Sequence, residues 1–167
     1  STRLLDLARA DLGAGNEGEW ADLADVLNRL ADAARSPEFD VTTHIADNMA
    51  ALAIPEASLD AIASALIENS RQAGATRIAF TAQDSDGTVT IRAQDNGPGI
   101  PAADRERIFE PFFTTRRATG GSGLGLPIIR SLVEATGGSL HLEASEQGAV
   151  FVIELPPRLQ MDVLSGR

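Results

Sequence analysis

The 167-residue chain contains no cysteine, and all fourteen of its basic side chains are arginine, so lysine is absent as well. The first absence excludes disulfides, a thiolate nucleophile and cysteine-ligated zinc. The second excludes Schiff-base and lysine-nucleophile chemistry within this segment. Its apolar runs fall far short of the roughly 18 residues that a membrane span needs, and the N-terminus lacks a basic-then-apolar signal pattern. Positive charge is scarce too. Against 14 arginines stand 24 Asp and Glu, a formal net charge of −10, so attraction to nucleic acid or an anionic membrane would have to overcome the protein's own field. The expectation is a soluble cytoplasmic segment with no nucleic-acid partner, whose parent protein is free to be anchored in a membrane by other segments. What remains, 43% hydrophobic and 23% charged residues, is the mix of a folded domain with one core.

From Trp20 to Ala34 the apolar positions Trp20, Leu23, Ala24, Leu27, Leu30, Ala31 and Ala34 recur at steps of three and four. This predicts an amphipathic helix ended by Ser36-Pro37. Val41 to Ile45 alternates like a half-buried strand. A second helix is expected from Ser58, read as its N-cap, to the stop at Gly74, with Leu59, Ile62, Ala63, Leu66 and Ile67 on one face. Strands at Arg77 to Ala82 and Thr88 to Ala93 flank Asp84-Ser85-Asp86-Gly87, a hairpin signal. A third helix is expected from Leu124 to Thr136, with Pro127 acceptable in its first turn. Strands at Leu140 to Ala144 and Val150 to Leu155 then close around Gln147-Gly148. The order predicts an α+β fold: a two-layer sandwich of about three helices on a mixed, mostly antiparallel sheet of about five strands. Between Asp95 and Gly123, about thirty residues lack clear periodicity, which in a compact domain marks a lid or binding loop.

Four segments concentrate the unusual chemistry. They are Glu68-Asn69 late on the second helix, Asp95-Asn96-Gly97-Pro98-Gly99-Ile100 after a strand, Phe109-Glu110-Pro111-Phe112-Phe113-Thr114-Thr115 in the loop, and Gly120-Gly121-Ser122-Gly123-Leu124-Gly125-Leu126 opening the third helix. In this order and spacing they resemble the N, G1, F and G2 boxes of the ATP-binding catalytic domain of bacterial sensor histidine kinases, within the wider gyrase, mismatch-repair and chaperone ATPase superfamily. The resemblance runs from about Leu4 to Leu155. It implies a Bergerat-type ATP-binding fold, ATP and Mg²⁺ as cofactors, and γ-phosphoryl transfer to a histidine on an upstream dimerisation and phosphotransfer domain, then to a response regulator. The division it implies is the tail of an upstream helix plus a linker at 1–18, the catalytic domain at 19–157 and a C-terminal tail at 158–167. The parent protein would be a homodimer through its upstream helices, with this piece a monomer by itself. The nucleotide contacts carried over are Asn69, also the Mg²⁺ ligand, then Asp95, Gly97, Gly99 and Ile100, then Phe109, Thr114, Thr115, Arg116 and Arg117, and finally Gly121, Ser122, Gly123, Leu124, Gly125 and Leu126.

Elementary chemistry supports these assignments separately. At about 100° per residue from Leu59, Asn69 lies about 280° round, at the edge of the apolar stripe, where its amide oxygen suits a hard cation shared with phosphates. An exposed polar residue near a helix end is the plainer alternative. Glu68, about 180° from the stripe, reads as a solvated neighbour. The carboxylate of Asp95 only accepts, so it matches the amino group of adenine and opposes the O6 of guanine, although Asp-Asn-Gly is also ordinary turn chemistry. Gly97 and Gly99 let the backbone approach a flat ring. Gly121 to Gly125 running into a helix presents free N–H groups to an anion, unless it is a ligand-free hinge. Arg116 and Arg117 are in a position to reach a terminal phosphate or simply to remain solvated. Phe109, Phe112 and Phe113, half of the six Phe, are expected to pin a lid over 101–121 to the body.

The pattern also departs from its relatives. The hydrolytic members of the superfamily carry a glutamate one turn before the Mg²⁺ asparagine, where this chain has Ala65, so a base to activate water is lacking. The family's usual lysine and aromatic after the asparagine are Gln72 and Ala73. The departure at Ala65 favours a kinase over a self-contained ATPase; taken together, the three keep open a degenerate nucleotide-binding module with a regulatory or scaffolding role. His44 and His141 both fall in strand patterns, so the phosphoacceptor is expected upstream, and no residue of this chain is assigned as catalytic.

Overall fold

The alternating segments form one five-stranded sheet, comprising β1 (Asp40–Ile45), β2 (Arg77–Ser85), β3 (Thr88–Asp95), β4 (Ser139–Glu143) and β5 (Val150–Leu155) in the spatial order β1-β2-β3-β5-β4. This computed structural model describes residues 20–47, 49, 52–111 and 125–156. Strand β1 runs parallel to β2, and the other neighbours are antiparallel. A parallel pair needs a crossover, and the helix α2 (Glu56–Gln72) supplies it. Helices α1 (Leu23–Ala34) and α3 (Gly125–Ala135) complete the helical layer among the described residues, giving the mixed two-layer sandwich that the sequence order predicts.

Strand periodicity decides which side chains meet the helices. On β3 the residues Val89, Ile91, Ala93 and Asp95 all face inward and are buried. The register sets Phe80 and Phe151 beside Ala93, and Ile153 beside Ile91. Against this face α1 buries Leu23, Val26, Leu27 and Ala31, α2 buries Leu59, Ile62, Leu66 and Ile67, and α3 buries Ile129, Leu132 and Val133. They form one continuous core. The outer face is mostly polar, with Arg92 and Glu143 paired across it, but it also carries the buried Val150 and Val152 of β5. Asp95 is therefore a carboxylate placed by its register on the core side of the sheet, opposite Ile78.

Several element ends differ from the sequence expectation. Helix α1 begins at Leu23 rather than Trp20, because Asp22 Oδ1 accepts the Asp25 N–H at 3.0 Å. Trp20 instead bridges to Pro55. Helix α2 begins at Glu56, before Ser58: Pro55 occupies the capping position with φ −61°, and its carbonyl accepts the Ser58 N–H at 3.1 Å. Ser58 is thus a buried helical residue and not a cap. Strand β2 runs on to Ser85 because the turn needs only Asp86 and Gly87, whose φ values of 54° and 87° make a type I′ connection, and β3 runs on to Asp95 because the ladder with β2 continues to the Ile78–Asp95 pair. Strand β4 sits one residue earlier than expected.

The end of α2 matters for the site. Gly74, at φ +90°, donates to the Arg71 carbonyl at 3.1 Å, and Ala75 donates to that of Ser70 at 3.0 Å. This is a Schellman closure, which turns the chain sharply into β2.

Candidate functional site

The site is built where the C-terminal turn of α2, the end of β3 and the start of β5 converge. Asp95 is 5% exposed, and three uncharged donors hold its carboxylate. Oδ1 accepts the Gly97 N–H at 2.9 Å and the Ala149 N–H at 3.0 Å, while Oδ2 accepts the Ser70 hydroxyl at 2.8 Å. The Gly97 bond is an Asx turn, so the ordinary turn chemistry of Asp-Asn-Gly is realised here. A turn alone needs neither the burial nor the other two donors. An ionised carboxylate offers about four acceptor positions, and three are taken, leaving one on Oδ2.

Glycines let the surrounding backbones close on this group. A Cβ on Gly148 would lie 1.9 Å from the Asp95 carbonyl oxygen, and one on Gly97 would lie 3.3 Å from Asp95 Oδ1. Asn96 then fastens the turn to the start of β2. Its Oδ1 accepts the Thr76 and Arg77 N–H groups at 2.8 and 3.0 Å, and its Nδ2 donates to Thr76 Oγ1 at 2.8 Å. Asn69 is half-buried on α2, immediately before Ser70, which places it beside the Asp95 anchor at the stripe's edge. Glu68 is exposed and engaged by Arg71 at 3.3 Å and by Gln72 Nε2 at 3.3 Å, the solvated role expected of it. Among the described residues no group of three or more His, Asp or Glu is gathered that would hold a metal alone. A Mg²⁺ at Asn69 would therefore take other ligands from phosphate oxygens and water.

The remaining expected contacts divide by location. Gly99 has φ +80°, and a Cβ there would sit 3.1 Å from the Gly148 carbonyl oxygen, so it joins the same cluster. Ile100 and Leu126 are half-buried against the core. Gly125 opens α3, where a Cβ would meet no heavy atom of the described residues within 4 Å. Neither packing against the described residues nor a positive φ requires glycine at that position. Phe109 leans edge-on to Phe151, with centroids 6.4 Å apart, and lies under Arg130 at 4.7 Å. With buried Ile108 it packs the segment before 112 against α3 and β5. Thr114, Thr115, Arg116, Arg117, Gly121, Ser122, Gly123 and Leu124 lie outside the described residues, as do Phe112, Phe113 and the segments 1–18 and 158–167. His44 and His141 are exposed residues of the two edge strands.

Sequence reasoning missed Ser70, Asn96, Gly148 and the Ala149 amide. Ser70 carried a usable signal: it lies about 20° from Leu59 on the helical wheel, a hydroxyl in the middle of an apolar stripe.

A carboxylate buried at the end of β3, against the last turn of the crossover helix and the start of β5, is the centre of this α+β sandwich's candidate site. The family described as histidine kinase-, DNA gyrase B-, and HSP90-like ATPase matches residues 55–159, and the chain belongs to it. The sensor-type histidine kinase PrrB of Mycobacterium tuberculosis is 33% identical over 154 residues, covering 90% of this chain and 34% of PrrB. The solved ATP-binding domain of PrrB from that organism superposes with a TM-score of 0.70 at 30% identity, over 85% of this chain and 98% of that one. Full-length ShkA in complex with AMPPNP gives a TM-score of 0.74 at 29% identity, over 92% and 36% respectively. The chain thus spans about a third of the length, 34%, of the curated relatives it first matches. Among the described residues no helix is long and apolar enough to cross a membrane.

Proposed function

We propose that this domain binds Mg·ATP and transfers its γ-phosphoryl group to a histidine on an upstream helical domain, from which it passes to an aspartate of a response regulator. The observation that carries the reading is the Asp95 carboxylate, buried with no cation paired to it and one acceptor position unused among the described residues. Neutral donors alone hold this buried charge, and the amino group of adenine fits the acceptor that remains. Gly97 and Gly99 keep the wall beside it low enough for a flat ring. The amides at the start of α3 would receive phosphate oxygens, which gives Gly125 a purpose that packing does not. Mg²⁺ at Asn69 would neutralise charge on the phosphates when bound. As an acceptor imidazole nitrogen bonds to the γ-phosphorus, the bond to the bridging oxygen breaks and ADP leaves.

Kinase chemistry is favoured over hydrolysis because Ala65, packed against the core, offers no base one turn before Asn69. Gln72 favours a weaker binder: its amide is turned to Glu68 and lends no charge to a phosphate, which keeps the degenerate module as the second reading. Incubation with γ-labelled ATP tests the proposal. The chain by itself should acquire no label and hydrolyse ATP slowly, whereas a helical hairpin carrying the acceptor histidine and supplied in trans should acquire acid-labile label. Brisk hydrolysis by the chain alone, or label on His44 or His141, would overturn it.

A further inference from the structure

We infer that Ser70 is a positioning residue that sets selectivity for a purine bearing a 6-amino group, acting entirely through Asp95; this inference rests on the adenine reading above. The hydroxyl is 2% exposed and donates to Asp95 Oδ2 at 2.8 Å. Its own position is over-determined, since the Ser70 carbonyl is held by the Ala75 N–H in the closure of α2.

The geometry divides the carboxylate into two halves with different duties. Oδ1 is saturated by the Gly97 and Ala149 N–H groups, one from the glycine-rich turn and one from the start of β5. Those two bonds fix the distance of the carboxylate from the backbone but leave it able to pivot about Oδ1. The Ser70 bond removes that pivot. It also occupies one of the two acceptor positions of Oδ2, so a ligand meets a single acceptor with a set direction instead of two that reorient. A hydrogen bond to an ionised acceptor depends steeply on angle, and a preoriented acceptor spends less of its binding free energy on ordering.

The hydroxyl also acts as a filter. With Ser70 donating, Asp95 stays committed as an acceptor, so a base that presents a carbonyl oxygen there meets lone pair against lone pair. A base with no substituent loses the contact without that opposition. Ser70 itself need not touch the nucleotide, which distinguishes a positioning role from a binding one.

Titration calorimetry of the 167-residue chain with the Mg²⁺ complexes of ATP and of purine riboside 5′-triphosphate, which lacks the 6-amino group, isolates this effect. Unmodified protein should favour ATP by about tenfold or more, the scale of one charge-assisted hydrogen bond. Ser70→Ala should weaken ATP by about tenfold and leave the purine analogue almost unchanged, collapsing the preference. Ser70→Cys, with a similar shape and a poor donor, should fall between the two and guards against a packing artefact in the alanine variant. Equal weakening of both ligands would show that Ser70 only supports the fold, and an intact preference in Ser70→Ala would show that Asp95 needs no orienting; either result overturns the inference while leaving the adenine reading standing. If the unmodified protein already fails to prefer ATP, the adenine reading fails first and this inference with it.

Discussion

Replacing Gly148 by alanine should loosen the whole site through the backbone that holds Asp95. Gly148 has φ +68°, and an added Cβ would lie 1.9 Å from the Asp95 carbonyl oxygen, 2.7 Å from its carbon and 2.8 Å from Oδ1. The atoms it meets are mostly backbone, so no side chain can swing away. The left-handed conformation alone costs a Cβ-bearing residue about 1–2 kcal/mol. Relief of the clash requires the start of β5 to withdraw from the end of β3, breaking the bonds of 3.1 Å from Asp95 N to Ala149 O and 3.0 Å from Ala149 N to Asp95 Oδ1. A buried polar group left without its partner costs about 1–3 kcal/mol. The sum is about 2–5 kcal/mol, a large share of the roughly 5–15 kcal/mol that holds a domain together. At about 4 °C per kcal/mol for a domain of this size the melting temperature should fall by about 8–20 °C. Urea and thermal unfolding followed by circular dichroism measure it, with Gly125→Ala as a control. That substitution adds a Cβ with no described atom within 4 Å and should leave stability unchanged or slightly raised. A Gly148→Ala protein within about 0.5 kcal/mol of the unmodified one would refute the packing argument around Asp95, since that is the scatter of an ordinary surface change.

Asn96→Ala removes the acceptor of two backbone N–H groups and the donor to Thr76 Oγ1, so it should lower stability by about 1–3 kcal/mol without changing the ratio of ATP to GTP affinity; a changed ratio would mean that the turn reads the base directly. Phe109→Ala loses the edge contact to Phe151 and the stack under Arg130. For a half-buried ring the cost should be about 1–3 kcal/mol, and no change in urea midpoint would show that the segment before 112 is anchored elsewhere. Asn69→Ala should weaken nucleotide binding mainly in the presence of Mg²⁺, so calorimetry showing the same metal dependence as the unmodified chain would remove Asn69 from the site.

Much of the fold was legible because its elements have clean periods. The alternation of Val89, Ile91 and Ala93 marks β3, and the stripe from Leu59 to Ile67 marks α2. The ends were less legible, since they depend on single hydrogen bonds: a cap at Asp22 left Trp20 outside α1, and Pro55 took the start of α2 from Ser58. Polar Gln83, Asp84 and Ser85 looked like loop, yet a two-residue turn keeps them paired. At the site, the order of the four glycine-, asparagine- and phenylalanine-bearing segments pointed to a nucleotide before any geometry. The partners of Asp95 were hidden for a different reason. Ser70 reads as one more small helical residue, and the Ala149 amide, 54 positions away in the chain, becomes a neighbour only when β5 pairs with β3.

The adenine assignment of Asp95 is the central claim, and calorimetry of Mg·ATP against Mg·GTP on the unmodified chain and on Asp95→Asn tests it most directly. Asparagine keeps an acceptor for the Gly97 and Ala149 N–H groups while placing a donor where the purine amino group would arrive. The account predicts that the unmodified chain binds ATP at least about tenfold more tightly than GTP and that Asp95→Asn stays folded but loses most of its ATP affinity. Equal affinity for the two nucleotides in the unmodified chain, or undiminished ATP binding by a folded Asp95→Asn protein, would contradict it.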